Sequence, residues 1–209
     1  MIFYDCSTAP SPRRARMFIA EKGLDVETRQ VDLGKGEQLS PSFLEINPLA
    51  TVPVLLTDNG TALYENLAIA TYLEAEVPEP PLLGSTAEEK AQVMLWNSLV
   101  DQHFAVPLAD VFRNSHPKMA SRALPGPDNF EQIPELAARA KERVDIFYAR
   151  LEKQLEDREF LAIDRFSLAD ISAFVIVDFA KQLRLPIPEE NVATRDWHDR
   201  ITQRPSAAL

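Results

Sequence analysis

The stretch Thr51-Val52-Pro53-Val54-Leu55-Leu56-Thr57-Asp58-Asn59-Gly60-Thr61-Ala62-Leu63-Tyr64-Glu65-Asn66 decides how the first part of this chain folds. Two β-type runs, 51–56 and 61–64, flank Asn59-Gly60, and Asn-Gly between such runs is a strong hairpin signal because both residues accept positive φ. Pro53 sits inside the first run, where a trans proline would remove a ladder hydrogen bond. The position calls for an edge or a cis peptide at a bend, and the cis form is the expectation. A helix opens straight afterwards, at Glu65 or Asn66, with Leu67, Ile69, Ala70, Tyr72 and Leu73 apolar.

Working back from the hairpin, Met1-Ile2-Phe3-Tyr4 reads as a short buried strand, with no signal sequence ahead of it. Ser11 to Lys22 turns helical: Ala15, Phe18 and Ile19 share a face, Ser11-Pro12 has the form of an N-cap and first residue, and Gly23 is a natural stop. Val26 to Val31 has a poor strand pattern but stands where one is needed, and Pro41 to Ile46 suits a short helical turn. The order β-α-β, short helix, hairpin, helix predicts a mixed four-stranded sheet whose first two strands run parallel through a right-handed crossover.

Working forward, Pro78, Pro80, Pro81 and Gly84 mark a stiff connector, and everything beyond reads as helix. Val93, Trp96, Leu99, Val100, His103 and Phe104 recur at helical spacing until Pro107, which should bend or interrupt the helix. Residues 117–134 form a Pro-, Gly- and Asp-bearing loop. Leu136 to Leu155 is amphipathic. Ser167-Leu168-Ala169-Asp170 has the form of a capping box before the apolar run Ile171–Phe179, and a last helix carries Trp197 and Ile201. The expected division is an α/β domain over 1–78 and an all-helical domain over 86–209.

Composition narrows the function classes. The 209 residues are 45% hydrophobic and 26% charged, ordinary for a folded soluble protein. With 22 Lys plus Arg against 32 Asp plus Glu, the net charge is −10, which repels phosphate backbones and argues against nucleic-acid partners. Residues 1–80 hold 6 basic and 12 acidic side chains, so no basic half is hidden in the total. No apolar run reaches the roughly 20 residues of a membrane helix. The single cysteine, Cys6, excludes an internal disulfide, and His103, His116 and His198 lack metal-ligand spacing, so no metal is expected. A cytoplasmic protein is the default.

The start of the first helix is the candidate for chemistry. Backbone N–H groups and the macrodipole favour an anion there, although Ser11 serves equally as a plain structural cap. Arg13, Arg14 and Arg16 in the first turns are unfavourable unless an anion or acid answers them; Arg13 and Arg16 suit a solvated face. Cys6 reads as a small packed side chain rather than a nucleophile, and His103 as a packed or pocket-lining residue. Glu65-Asn66 offers either N-terminal charge and capping or capture of a ligand's ammonium and carboxylate.

The runs Ala9-Pro10-Ser11-Pro12-Arg13-Arg14-Ala15-Arg16, Ala20-Glu21-Lys22-Gly23-Leu24, Ser40-Pro41-Ser42-Phe43 and Asn47-Pro48 to Val52-Pro53-Val54-Leu55 resemble the cytosolic glutathione S-transferase family, bacterial theta-, beta- and nu-like types. Tyr64-Glu65-Asn66-Leu67-Ala68-Ile69 and Phe166-Ser167-Leu168-Ala169-Asp170-Ile171 carry the likeness into both domains. The resemblance implies a thioredoxin-like N-terminal domain, an all-helical C-terminal domain, a homodimer, glutathione as co-substrate, and detoxification by conjugation to a hydrophobic electrophile. It implies that Val52, with Thr51 and Pro53, receives the cysteinyl part of glutathione, that Glu65 and Asn66 hold its γ-glutamyl end, and that Gln38 lies near the glycyl carboxylate. Asn66 replaces the usual serine, and its amide still donates to a carboxylate. Ser11 aligns with the catalytic position of beta- and nu-like members, with Thr8 and Ser7 as alternatives, because Ala9 has neither hydroxyl nor thiol. Pro10, His103, Phe104 and Phe112 are the implied electrophile contacts, with Leu108 a core residue. Two other activities fit the same resemblance: glutathione-dependent disulfide or peroxide reduction, and a non-catalytic protein-binding module.

Overall fold

A computed structural model describes all 209 residues, and they separate into two compact units. The first comprises Met1–Pro80 with Leu124–Asn129 and Leu209; the second comprises Pro81–Ala123 and Phe130–Ala208. The segment 124–129, expected in the helical domain, thus groups with the α/β unit.

The first unit runs β1 (Ile2–Asp5), α1 (Pro10–Glu21), β2 (Glu27–Gln30), a turn at Glu37–Leu39, α2 (Pro41–Leu44), β3 (Val54–Leu56), β4 (Ala62–Tyr64) and α3 (Asn66–Glu76). The sheet order is β2-β1-β3-β4. β1 pairs parallel with β2 and antiparallel with β3, and β3 pairs antiparallel with β4, which is the expected mixed sheet. Every residue of β2 is exposed, so its sequence never had to alternate; its place comes from the crossover and from backbone pairing with β1. The hairpin loop closes with the Thr57 N–H donating to the Thr61 carbonyl at 2.9 Å and with Gly60 at φ +85°. The Val52–Pro53 peptide is cis, as expected, and β3 starts only at Val54, so Pro53 lies outside the ladder.

Side-chain alternation gives the sheet two buried faces. Phe3 and Leu55 pair on one, and Met17 and Phe18 of α1 and Ile69 and Leu73 of α3 are as fully buried. Tyr4, Cys6, Val31, Phe43, Val52 and Val54 form the cluster on the other, with Tyr4 edge-on to Phe43 at 6.0 Å.

The second unit comprises α4 (Ala87–Val100), a wide turn at Asp101–Ala105, α5 (Val106–Ser115), α6 (Pro134–Leu155), α7 (Leu168–Gln182) and α8 (Val192–Thr202). α5 packs on α6, α4 on α7 and α6 on α8. Pro107 acts through the turn before it: its ring and missing N–H deny the i−4 bond to His103, and the Val106 N–H instead reaches back five residues to the Asp101 carbonyl. α7 is the centre of this unit, buried along Leu168–Val177. Its start is held by Asp170, wholly buried, whose carboxylate accepts from Ser167 N (3.1 Å), Ser167 Oγ (3.0 Å), Leu161 N (2.8 Å) and Trp197 Nε1 (3.0 Å). Burial pushes that carboxyl up in pKa, and the four donors offset only part of the rise. No helix is long and apolar enough to cross a membrane.

Candidate functional site

Topology alone brings the candidate residues of the first unit to one end of the sheet. β1 and β2 run parallel and end there, leading respectively to the loop Cys6–Ala9 with α1 and to the segment carrying Gln38. β3, antiparallel to β1, begins at that end, just after Val52-Pro53, and β4 finishes there, just before Glu65-Asn66. Residues scattered over 59 positions, 8 to 66, therefore converge by strand direction.

The loop before α1 is held by a buried carboxylate. Asp5, 1% exposed, accepts from Arg16 Nη1 at 2.5 Å and from Gln30 Nε2 at 2.8 Å. Arg16 also donates to the carbonyls of Cys6 (3.3 Å) and Ser7 (3.2 Å), and Gln30 accepts from the Ser7 N–H at 3.0 Å. Arg16 is therefore a clamp rather than the solvated residue expected from its position. Arg13 Nε donates to the Leu209 carbonyl at 2.8 Å, so it too has a partner.

α1 starts one residue earlier than expected. Ala9, extended at φ −98° and ψ 137°, is the N-cap, Pro10 is the first helical residue, and Ser11 stands second. The reason is Pro10, whose fixed φ suits a first helical position and biases the residue before it to extended backbone. Pro10 and Pro12 have no N–H, so among the first three helical residues only Ser11 carries a backbone donor. The anion-binding capacity of this terminus is concentrated in the N–H and hydroxyl of one residue. Thr8 is exposed, its Oγ1 3.5 Å from the buried Cys6 Sγ, and Ser7 is exposed with its N–H engaged.

Asn66 is the first residue of α3, and its Nδ2 donates to Ser11 Oγ at 3.0 Å. Its Oδ1 is buried without a partner. Glu65, at φ +78° and ψ 130°, is exposed and its side chain does not cap the helix it precedes. A non-glycine residue in that region costs about 1–3 kcal/mol, and such strain collects at functional sites. No pattern in the sequence announced it. Asn47, fully buried, donates through Nδ2 to the Thr51 carbonyl (2.9 Å) and Thr51 Oγ1 (3.0 Å) and accepts from the Leu49 N–H (3.0 Å), which fixes the loop delivering Val52. Val52 itself precedes the ladder and takes no part in the loop hydrogen bonds, leaving its peptide groups available. Gln38 lies in the turn Glu37–Leu39 with Oε1 buried and unpartnered.

The helical-unit candidates fare unevenly. Phe104, expected among the electrophile contacts, is fully buried in the core of the helical unit, stacked on Phe147 at 4.8 Å and edge-on to Tyr148 at 5.1 Å. His103, expected on the apolar stripe, is exposed, because it lies at the margin of the face on which Val93, Val100, Phe104 and Leu108 are buried. Phe112 is half-buried, 5.2 Å from the His116 ring and 6.0 Å from Phe179. Leu108 is core. Pro10, in the first unit, is half-buried.

A four-stranded mixed sheet with its cis-proline before β3, followed by a helical unit built on a buried helix-capping aspartate, defines the class: a thioredoxin-like domain joined to an all-helical one. Comparison with known proteins sharpens it. Residues 8–76 match the model of the glutathione S-transferase N-terminal domain, and residues 98–205 match that of the C-terminal domain. Glutathione S-transferase 2 of Saccharomyces cerevisiae is 34% identical over 99% of this chain and 87% of its own. The crystal structure of Gtt2 from Saccharomyces cerevisiae superimposes with a TM-score of 0.91 at 33% identity, covering 100% of this chain and 99% of that one. The disulfide-bond oxidoreductase YfcG of Escherichia coli is 28% identical over 97% of this chain and 91% of its own. The chain belongs to the glutathione S-transferase family.

Proposed function

We propose that this protein is a glutathione transferase that ionises the thiol of bound glutathione at the N-terminus of α1 and passes the thiolate to an apolar electrophile. The observation that carries the reading is the concentration of donors at Ser11: a first turn with one backbone N–H, and a hydroxyl whose oxygen already accepts from Asn66 and whose proton is free to donate. The thiolate, not the thiol, is the nucleophile, and a thiol near its reference pKa of about 8.5 is mostly protonated at neutral pH. Lowering that pKa by about two units takes about 2.7 kcal/mol of preferential stabilisation, within reach of charge-assisted hydrogen bonds from Ser11 plus the helix dipole. No general base or covalent enzyme intermediate is required.

Around the sulfur, the reading assigns the peptide groups of Val52 to the cysteinyl backbone, beside Thr51 and Pro53. The exposed Glu65 carboxylate takes the γ-glutamyl ammonium, the start of α3 at Asn66 takes the adjoining carboxylate, and Gln38 faces the glycyl end. Pro10, Phe112 and His103 are the proposed contacts for the electrophile. Detoxification in the cytoplasm and assembly as a homodimer complete the proposal.

The test is a pH titration of the ultraviolet thiolate absorbance of glutathione with the protein. A bound thiol ionising well below its free pKa supports the reading, and Ser11→Ala should raise that pKa by about one unit or more. The sign is fixed: removing a group that stabilises the anion moves the rate profile to higher pH, so the variant loses roughly tenfold at pH 7 and regains turnover in alkali. A titration identical to that of free glutathione refutes it.

A second reading, glutathione-dependent disulfide reduction, is favoured by the similarity to a disulfide-bond oxidoreductase. Cys6 is the one cysteine and is buried, so the exchange would run through glutathione itself rather than an enzyme mixed disulfide. Parallel assays with an aryl halide and a small organic disulfide separate the two.

A further inference from the structure

Resting on the transferase reading above, we infer that Asn66 is a positioning residue for the thiol-activating hydroxyl, and that it couples recognition of the γ-glutamyl end of glutathione to ionisation of the thiol. Its Nδ2 donates to Ser11 Oγ at 3.0 Å across the join between α1 and α3. This is the hydrogen bond of the Ser11 side chain within the chain, and in it the serine oxygen accepts. A hydroxyl that accepts from an amide keeps its own proton for another acceptor, and the amide fixes where that proton can point. Polarisation through the chain N–H···O–H···S⁻ also strengthens the second bond.

The other end of the amide faces the ligand. Asn66 Oδ1 is buried and unpartnered, an acceptor awaiting a donor at the position proposed to hold the γ-glutamyl group. An ammonium or N–H arriving there satisfies the oxygen and holds the amide in the orientation that aims Nδ2 at Ser11. One side chain thereby links two parts of the ligand. A serine at this position reaches one bond less far from Cβ, so it can serve the γ-glutamyl group without orienting Ser11. The asparagine is suited to the second task.

The experiment is a double-mutant cycle between positions 66 and 11 with two readouts. One is the pKa of the bound glutathione thiol from ultraviolet titration; the other is affinity for S-methylglutathione, which has no thiol to ionise. Asn66→Ser should raise the thiol pKa by about one unit in the wild-type background and leave it unchanged in Ser11→Ala, because its effect passes through the hydroxyl. Asn66→Asp, nearly isosteric, should raise the pKa further, since a carboxylate draws the Ser11 proton to itself and opposes a nearby anion. Far-ultraviolet circular dichroism establishes that each variant is folded. Equal pKa shifts in both Ser11 backgrounds overturn the inference. So does an Asn66→Ser variant that loses S-methylglutathione affinity with its thiol pKa unmoved. Failure of the wild type to bind S-methylglutathione would instead remove the transferase reading itself, with this inference falling alongside it.

Discussion

Asp5 shows how one buried charge organises a loop. Its carboxylate, inside the first unit, is neutralised by Arg16 and shared with Gln30, and both partners carry on to hold Cys6 and Ser7. Removing the cation alone leaves a buried anion without its counter-charge, which typically costs about 3–5 kcal/mol. Arg16→Met should therefore destabilise the protein by roughly 3 kcal/mol in urea unfolding, at the lower end because Arg16 is 15% exposed. It should also loosen the approach to Ser11. Arg16→Lys restores the charge but not the reach to two carbonyls, and should recover part of the loss. The arginines at the start of α1 were legible as a problem in the sequence; their solutions, Asp5 for Arg16 and Leu209 for Arg13, lie 11 and 196 residues away.

Individual elements are set by their ends. α4 begins with a reciprocal cap, the Glu89 N–H donating to Thr86 Oγ1 at 3.1 Å while Glu89 Oε2 accepts from the Thr86 and Ser85 N–H groups. Arg165 grips the same carboxylate at 2.7 and 2.5 Å, and these donors hold its pKa down at about 2. The turn that allows this has Gly84 at φ +94°, with no room for a Cβ: one placed there would lie 2.7 Å from the Lys90 N and 2.8 Å from the Glu89 carbonyl carbon. Gly84→Ala should cost about 2–3 kcal/mol, from the positive φ and the backbone overlap together, read as a lowered melting temperature. Gly60→Ala, also at positive φ but with open space around it, should cost less, so the difference isolates the overlap. The helix-to-helix junction at Asp101–Ala105 makes a related point. Pro107 marked an interruption in the sequence, but the form it takes, a wide turn rather than a break, goes with the packing of Phe104 against Phe147 and Tyr148 of α6.

At the scale of the whole molecule, ligand binding is linked to folding. A ligand that binds only the native state adds RT ln(1 + [L]/Kd), about 2.7 kcal/mol at a hundred times Kd. S-methylglutathione should therefore raise the melting temperature of the wild type in proportion to the logarithm of its concentration, and a flat response across a thousandfold range would argue against any glutathione site. The net charge of −10 adds a second constraint, because an anionic tripeptide must bind against the overall field through local donors. Salt should weaken the general repulsion and leave the bonds at Ser11 and Asn66 little changed.

The order of elements, the hairpin, the cis-proline and the capping aspartate were all legible in the sequence, because each rests on local chemistry: turn residues, periodicity, and side chains a few positions apart. So was the identity of most residues at the end of the sheet, through the motifs around Pro53 and Glu65-Asn66. What only the tertiary structure decided has a different physical origin. That Ser11 stands second in α1 rather than capping it follows from Pro10 competing for the first position, which two prolines either side of Ser11 leave open in the sequence. That His103 is exposed while Phe104 is core reflects how wide a stripe the neighbouring helices cover: Val93, Trp96, Val100, Phe104 and Leu108 lie on it and His103 falls at its edge, a width the 3.6-residue pattern alone does not give. The left-handed backbone at Glu65 and the bond from Asn66 to Ser11 exist because β3, β4 and α1 converge, and a contact between residues 55 positions apart is a property of the fold, not of either residue's neighbours.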